Sequence, residues 1–485
     1  MKRNRILLVI GVLILVGFLI YSPRLGYRFP IHLDEWIHVD WAVHAMDKQS
    51  YMEKDDLFTK QRLPVHEVGF HIFLSEIFLM SSVDPVLGYK YLASFLNMVT
   101  AFLLFVVIFK ITKDFYTGIF AMLFFASLRN NINILGTWFF VPFVFCFPLI
   151  YLLSFSIIKG LDDKKFLIIS IFILFVIYFI HVQIAIFCSL LFVVYLIFNY
   201  KKVKKNWIYL LPVILVPLII LLFYSSVLWN GSFLGLIKNI ITRITFEGYG
   251  PGPQINYSLF SFYGIIAYVL AGIGIIFGIK KIKERFWIMW IFLAAIFIFI
   301  FHQYRIILLA AYRRMVYLAL IGLIPLSAIG LSNILTYLKK KIKNNRILQL
   351  TSMTFIVVVF IFSFWGYYRI PSNVRIFYLI NEQEYEAIEW LEEKYSSYNV
   401  VFAPKWFSEA IYPVSRNYVD YNKIKGGADK KHEFYDGDCK TKLDIIKEFK
   451  VDFVFVKERI HCRFLELVYN NSVFIYEFKD RDLTE

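Results

Sequence analysis

The hydrophobic positions of this chain fall into long runs that short polar segments separate. Most runs are close to the roughly 20 residues that an α-helix needs to cross a membrane, although those that begin at residues 115, 166 and 286 are shorter. We therefore predict an α-helical polytopic membrane protein with about 11 transmembrane helices. The runs cover residues 6–21, 86–109, 115–128, 137–158, 166–180, 182–200, 207–228, 257–279, 286–301, 315–338 and 347–367.

The composition agrees with this prediction. Hydrophobic residues make up 59% of the chain and the mean hydropathy is +0.62, whereas soluble domains are about 45–50% apolar. The net charge of +16 comes from short Lys and Arg clusters between the runs. Such clusters set membrane orientation and do not build one phosphate-binding face, so we exclude nucleic acid as a partner.

The distribution of Lys and Arg predicts the orientation of the helices. Connections on the side of the N-terminus carry 21 Lys and Arg residues, and the short connections on the opposite side carry 6. Because the more positive connections stay in the cytoplasm, we expect a multi-pass cell-membrane protein with a cytoplasmic N-terminus. The odd number of spans then places the C-terminal part outside.

Residues 64–80 are apolar enough to be a twelfth span, but counting them as one would invert every later connection and contradict the charge distribution. Glu67, His71 and Ser75 recur every four residues in this segment. This spacing predicts an amphipathic helix that lies in the outer membrane interface, with Pro64 in its first turn.

The pattern changes after residue 367, where short amphipathic and β-rich pieces replace the long runs. We expect a membrane domain at residues 1–366, with a first outer loop at 23–85, and an extracytoplasmic α/β domain at 367–485. Cys439 and Cys462 in this domain form either a disulfide or two free thiols. The predicted helices are 382–394, 442–449 and 462–469, and the predicted strands are 399–403, 451–457 and 472–478.

Charged residues are missing from the middle of every predicted span, which disfavours an ion-coupled transporter because such a protein binds its coupling ion at mid-membrane depth. The outer connections instead carry acids and arginines. The first of these connections opens with a short loop at residues 32–38, where Asp34 and Glu35 lie among aromatic and histidine residues. Acids can accept the proton of a hydroxyl group, and arginines can bind a phosphate. Their presence together in the outer connections indicates a site at the outer membrane surface.

The order of these features resembles a known superfamily. A first span, an outer loop that opens with Asp34-Glu35, a Pro-initiated helix at Leu63-Pro64-Val65-His66-Glu67 and many further spans before an extracytoplasmic domain are similar to the GT-C glycosyltransferases. These enzymes use polyprenyl-phosphate sugars, as in the dolichyl-phosphate-mannose mannosyltransferases and the aminoarabinose transferases. The resemblance covers the whole chain in architecture and residues 1–130 in detail. The Trp-Trp-Asp-Tyr-Gly signature of oligosaccharyltransferase catalytic subunits is absent, and so is the Pro-Pro pair that some relatives have after Leu63.

The resemblance implies transfer of a sugar from a polyprenyl (dolichyl-type) phosphate to an acceptor hydroxyl on a glycan, lipid or protein, with inversion. Asp34 is then the expected general base, and Glu35 the second acid that orients a cation, a metal or the sugar. The resemblance leaves open whether a divalent metal (Mg²⁺ or Mn²⁺) binds at Asp34, Glu35 or His32. The expected substrate-binding residues are His66, Glu67, His71, Arg129, Arg243, Arg305, Arg313 and Arg314, since guanidinium groups hold phosphate oxygens.

Two other functions are compatible with parts of this pattern. A non-catalytic transporter or flippase of lipid-linked saccharides is the main alternative. A zinc protease is excluded, because His66 and His71 stand five residues apart, whereas the His-Glu-x-x-His motif requires four.

Overall fold

The computed structural model of the protein describes most of the chain. The described residues are 3–50, 67–129, 136–204, 216, 219–220, 222, 262–281, 283–304, 312–364, 378–395, 397–404, 407–419 and 433–479. All structural statements below concern these residues.

The apolar runs form helices close to the predicted positions, because a helix bonds its own backbone groups within a segment where lipid offers no partners. The described membrane-region helices are α1 (Arg3–Tyr21), α2 (Leu33–Lys48), α3 (Val68–Ser81), α4 (Pro85–Thr112), α5 (Phe115–Ala126), α6 (Pro142–Gly160), α7 (Lys164–Ile180), α8 (Val182–Phe198), α9 (Tyr200–Val203), α10 (Ile265–Gly278), α11 (Arg285–Tyr304), α12 (Tyr312–Lys341) and α13 (Asn345–Phe364).

Within the described part of the chain, six helices are long and apolar enough to cross a membrane: α1, α4, α6, α11, α12 and α13. Four further apolar helices, α3, α5, α8 and α10, are shorter. The prediction of a polytopic helical membrane protein is confirmed. The run at 207–228 lies almost entirely outside the described residues, so the count of eleven spans stays a prediction.

Small residues let α10 and α12 approach closely. A β-carbon on Gly274 of α10 would overlap the backbone carbonyl of Leu326 on α12, and one on Gly330 of α12 would overlap the carbonyl of Leu270 on α10. Helices in lipid associate through such backbone contacts, since lipid removes the hydrophobic driving force between them. Helix α12 also packs against α5 and α11.

The prediction of a short loop at residues 32–38 is wrong. The chain enters helix α2 at Leu33, and His32 is its N-cap, with Nδ1 accepting the N–H of Asp34 at 3.0 Å. A histidine is an unusual cap, and the two acids in the first turn favour the helix through its dipole. The acidic pair therefore lies on a regular element.

The C-terminal part is an α/β domain, as predicted. Its five-stranded sheet has the order β2-β1-β3-β5-β4, in which β1 pairs parallel with β2 and β3, and β5 pairs antiparallel with β3 and β4. The elements are α14 (Glu382–Lys394), β1 (Val400–Phe402), α15 (Ser408–Ser415), β2 (Tyr418–Val419), α16 (Cys439–Phe449), β3 (Phe453–Val456), β4 (Leu465–Asn470) and β5 (Phe474–Phe478).

Two features of this domain correct or complete the sequence analysis. The helix predicted at 462–469 is wrong, because Leu465 to Asn470 pairs with β5 as a strand. Cys439 and Cys462 form a disulfide, which decides between the two alternatives for these residues. Cys146 and Cys188 are buried free thiols.

The chain divides into two compact units. The first contains residues 1–25, 65–70 and 91–373, and the second contains residues 26–64, 71–90 and 374–485. The division crosses α3, which is nevertheless one continuous helix. The predicted domain boundary between residues 366 and 367 stays a prediction.

Candidate active site

The two acids at the start of α2 have different surroundings. Glu35 is fully buried, and its Oε2 accepts the backbone N–H of Ile31 at 2.8 Å. The side chain of Asp34, in contrast, is 40% exposed, and its Oδ1 lies 3.9 Å from His32 Nδ1. Glu35 thus holds the backbone segment that precedes the helix, whereas the carboxylate of Asp34 is partly exposed.

The first turn of α2 is held by further contacts. The indole of Trp36 is fully buried, and its Nε1 donates to the carbonyl of Pro30 at 3.0 Å. Burial lowers the pKa of His32 below its usual value, and the charges of Asp34 and Glu35 oppose this shift. In neutral His32, Nδ1 can carry the lone pair that accepts the Asp34 N–H, so the capping role and the lowered pKa agree.

The other end of α2 is tied to the α/β domain. His44 Nδ1 lies 3.1 Å from the hydroxyl of Tyr412, which donates to Asp47 Oδ2 at 3.2 Å. Arg416 Nε lies 2.9 Å from the same carboxylate oxygen. Burial raises the pKa of Asp47 despite the opposing effect of Arg416. Together with the contacts of the first turn, these contacts hold α2 at both ends.

A histidine of α2 and a histidine of α3 are in contact close to the first turn of α2. His38 Nδ1 lies 2.9 Å from His71 Nε2, and both residues are buried. Glu67 lies directly before α3, four residues ahead of His71, and is also buried. Ligand atoms of these three side chains all lie within 4.8 Å of one another. His38 was not singled out from the sequence, although it follows Asp34 by one helical turn.

A cationic group lies in the first unit, at the start of α12. Arg314 Nη1 lies 3.1 Å from His181 Nε2 and donates to Gln183 Oε1 at 3.3 Å. The guanidinium also lies 6.0 Å from the ring centre of Phe143. His181 and Gln183 were missed in the sequence analysis. The signal for them was a pair of polar residues at the junction of two adjacent apolar runs.

The remaining predicted site residues are placed only in part. The backbone N–H of Arg129 donates to the carbonyl of Phe262 at 2.9 Å. Arg313 belongs to α12, but its side chain lies outside what the structure describes. His66, Arg243 and Arg305 also lie outside the described residues. The substrate-binding roles of these residues, and those of Glu67, His71 and Arg314, stay predictions.

The helical membrane region and the small C-terminal α/β domain form a fold that is similar to solved membrane proteins. It is shared with ArnT from Cupriavidus metallidurans bound to undecaprenyl phosphate, with a TM-score of 0.63, 10% identity and coverage of 98% of both chains. It is also shared with the oligosaccharyltransferase AglB from Archaeoglobus fulgidus.

Two structures of that oligosaccharyltransferase are similar to this chain. The complex with an inhibitory peptide and a dolichol-phosphate gives a TM-score of 0.63 at 11% identity, covering 94% of this chain and 69% of the other. The complex with Zn and sulfate gives 0.62 at 11% identity, covering 92% and 67%. No protein-family model and no curated protein matches the sequence. At these identities the likeness establishes the fold.

Proposed function

We propose that this protein is a membrane glycosyltransferase that moves one sugar from a polyprenyl phosphate to an acceptor hydroxyl at the extracytoplasmic face. Two neighbours in fold support the donor class, since one is bound to undecaprenyl phosphate and another to a dolichol-phosphate. A membrane-embedded fold suits such a donor, because its long lipid tail is soluble only in the bilayer.

The observation that carries this proposal is the contrast within the acidic pair. A direct displacement needs one carboxylate that can reach the acceptor, and Asp34 is the exposed one. Neighbouring residues on a helix project about 100° apart, so the pair does not form the facing carboxylates of a glycosidase. The buried Glu35 instead maintains the local backbone that presents Asp34.

The proposed reaction is a single displacement. Asp34 takes the proton of the acceptor hydroxyl as the hydroxyl oxygen attacks the anomeric carbon. The bond between this carbon and the phosphate oxygen breaks, and polyprenyl phosphate leaves with the electron pair. The anomeric configuration inverts. The leaving group is already a stable anion, so no general acid is required.

Cations stabilise the charge that develops on the leaving phosphate. Arg314 is the candidate whose guanidinium contacts are described: it lies beside His181, donates to Gln183 and lies next to the ring of Phe143. Arg129, Arg243, Arg305 and Arg313 are the further candidates from the sequence. A guanidinium binds two phosphate oxygens at once, which a lysine does not.

The experiment that tests the function separates transfer from transport. The purified full-length protein is placed in proteoliposomes with polyprenyl-phosphate sugars extracted from its source cells, together with the acceptor-containing membrane fraction. We expect free polyprenyl phosphate to accumulate, which mass spectrometry detects. If the lipid-linked sugar instead changes leaflet and stays intact, the transporter alternative is correct and the proposal is wrong.

A further inference from the structure

The cluster formed by His38, Glu67 and His71 has the composition of a transition-metal site. Its three members are buried, and their ligand atoms lie within 4.8 Å of one another. Two imidazoles and one carboxylate can bind one divalent ion together.

The distance between the two histidines is close to that of a metal pair. Tetrahedral zinc with bonds of about 2.0–2.1 Å to imidazole nitrogens separates the two nitrogens by about 3.3 Å. His38 Nδ1 and His71 Nε2 are 2.9 Å apart, so an outward movement of a few tenths of an ångström opens the pair for an ion. The rings are tilted by 41°, with centres 5.1 Å apart, and so are not stacked against each other.

Glu67 supplies the third ligand. It lies directly before α3, four residues ahead of His71, and its carboxylate oxygen lies within 4.8 Å of the ligand nitrogens of both histidines. Ser75, one turn later, donates from Oγ to the carbonyl of Ala42 at 3.0 Å, which holds α3 against α2. The two histidine rings are therefore brought together by packing that extends beyond the pair.

We infer that His38, Glu67 and His71 bind a zinc-class divalent ion that joins α2 to α3. Two imidazoles and one carboxylate are a common zinc donor set that keeps a fourth position open. The set does not suit Mg²⁺, which prefers oxygen ligands throughout. This site is separate from the metal that the sequence left open at Asp34 and Glu35, and it gives Glu67 and His71 a role other than direct contact with substrate.

The ion would also set the orientation of the acidic pair. His38 follows Asp34 by four residues on α2, so the two side chains lie on the same side of the helix. Fixing His38 to α3 limits rotation of the first two turns of α2. This positioning role rests on the proposed function, whereas the metal site itself does not.

The test measures metal directly. Full-length protein is purified from zinc-supplemented cells, and its metal content is determined by elemental mass spectrometry. We expect about one zinc ion per chain, loss of that ion in His71→Ala, and retention in His461→Ala, a change of an exposed histidine in the α/β domain. The double variant Asp34→Asn with Glu35→Gln is expected to keep the ion.

Zinc-edge X-ray absorption of the wild-type protein provides a readout that does not depend on any variant folding. We expect nitrogen and oxygen neighbours only, with the scattering of two imidazoles. Absence of zinc after incubation with Zn²⁺, sulfur neighbours, or zinc retained in His71→Ala would overturn the inference. None of these measurements depends on the sugar-transfer assay, so failure of the metal site is distinguishable from failure of the proposed function.

Discussion

Asp34 and Glu35 are adjacent in sequence, yet their surroundings differ. The side chain of Asp34 is partly exposed, whereas Glu35 is buried and accepts the backbone N–H of Ile31. The pair itself could be found from the sequence, because two acids after a first membrane span are conspicuous. The sequence could not show that the two acids differ in burial. Burial of Glu35 depends on the path of residues 30–32 before the helix, which no local pattern encodes.

His32 makes the first turn of α2 sensitive to acid. Burial lowers its pKa from the ordinary value of 6.5. A group with a depressed folded-state pKa contributes stability above its unfolded pKa, and this contribution is lost as the pH falls through the folded-state value. Protonation also places a proton on Nδ1, which ends its hydrogen bond with the Asp34 N–H.

We therefore predict that acidification below about pH 6.5 lowers the thermal unfolding temperature of the wild-type protein more than that of His32→Asn. Asparagine is a good N-cap and does not titrate, so it keeps the cap, which is worth about 0.5–2 kcal/mol. Thermal unfolding between pH 7.5 and 5 measures the effect, with His461→Asn as the control. Equal acid sensitivity of the wild type and His32→Asn would contradict this role.

At the scale of elements, the long apolar runs located the membrane helices well, because their length alone satisfies the requirement of the bilayer. The short elements of the α/β domain were harder. The apolar positions of residues 462–469 fit both the spacing of a helix and that of a strand. Hydrogen bonding to β5 makes residues 465–470 a strand. Helix α15 was missed because Pro413 interrupts its pattern.

The contact between α10 and α12 depends on glycine. We predict that Gly274→Ala lowers the thermal unfolding temperature in detergent, because the added β-carbon meets the Leu326 backbone and overpacking costs about 1–3 kcal/mol. Gly272→Ala on the same helix is the matched control, since no atom lies within 4 Å of the site of its β-carbon. The contact is not as close as described if both variants unfold at the same temperature.

At the scale of the whole molecule, we predict that the C-terminal domain lies outside the cell, and two features support this prediction. The charge distribution of the membrane connections predicts this orientation. The disulfide between Cys439 and Cys462 suits an oxidising compartment. The sequence allowed either a disulfide or two free thiols at these positions. It could not distinguish between them, because the disulfide requires the start of α16 and the segment before β4 to be close in space.

We predict that membrane-impermeant reductant followed by impermeant maleimide labels Cys439 and Cys462 in intact cells. Cys146 and Cys188, which are buried in membrane helices, serve as internal controls and remain unlabelled. Mass spectrometry of the labelled peptides measures the result. Labelling that requires permeabilised cells would place the domain in the cytoplasm and remove Asp34 from the outer face.

The central claim is that Asp34 is the base of sugar transfer and that Glu35 supports its backbone. The most direct measurement is the release of polyprenyl phosphate by Asp34→Asn and Glu35→Gln, with the exposed Asp444→Asn as control. We predict that Asp34→Asn loses about 10²–10⁴-fold in rate with an unchanged unfolding temperature. Glu35→Gln keeps an oxygen for the Ile31 N–H and stays within about tenfold of wild type. A folded Asp34→Asn variant that retains the wild-type rate would contradict the claim.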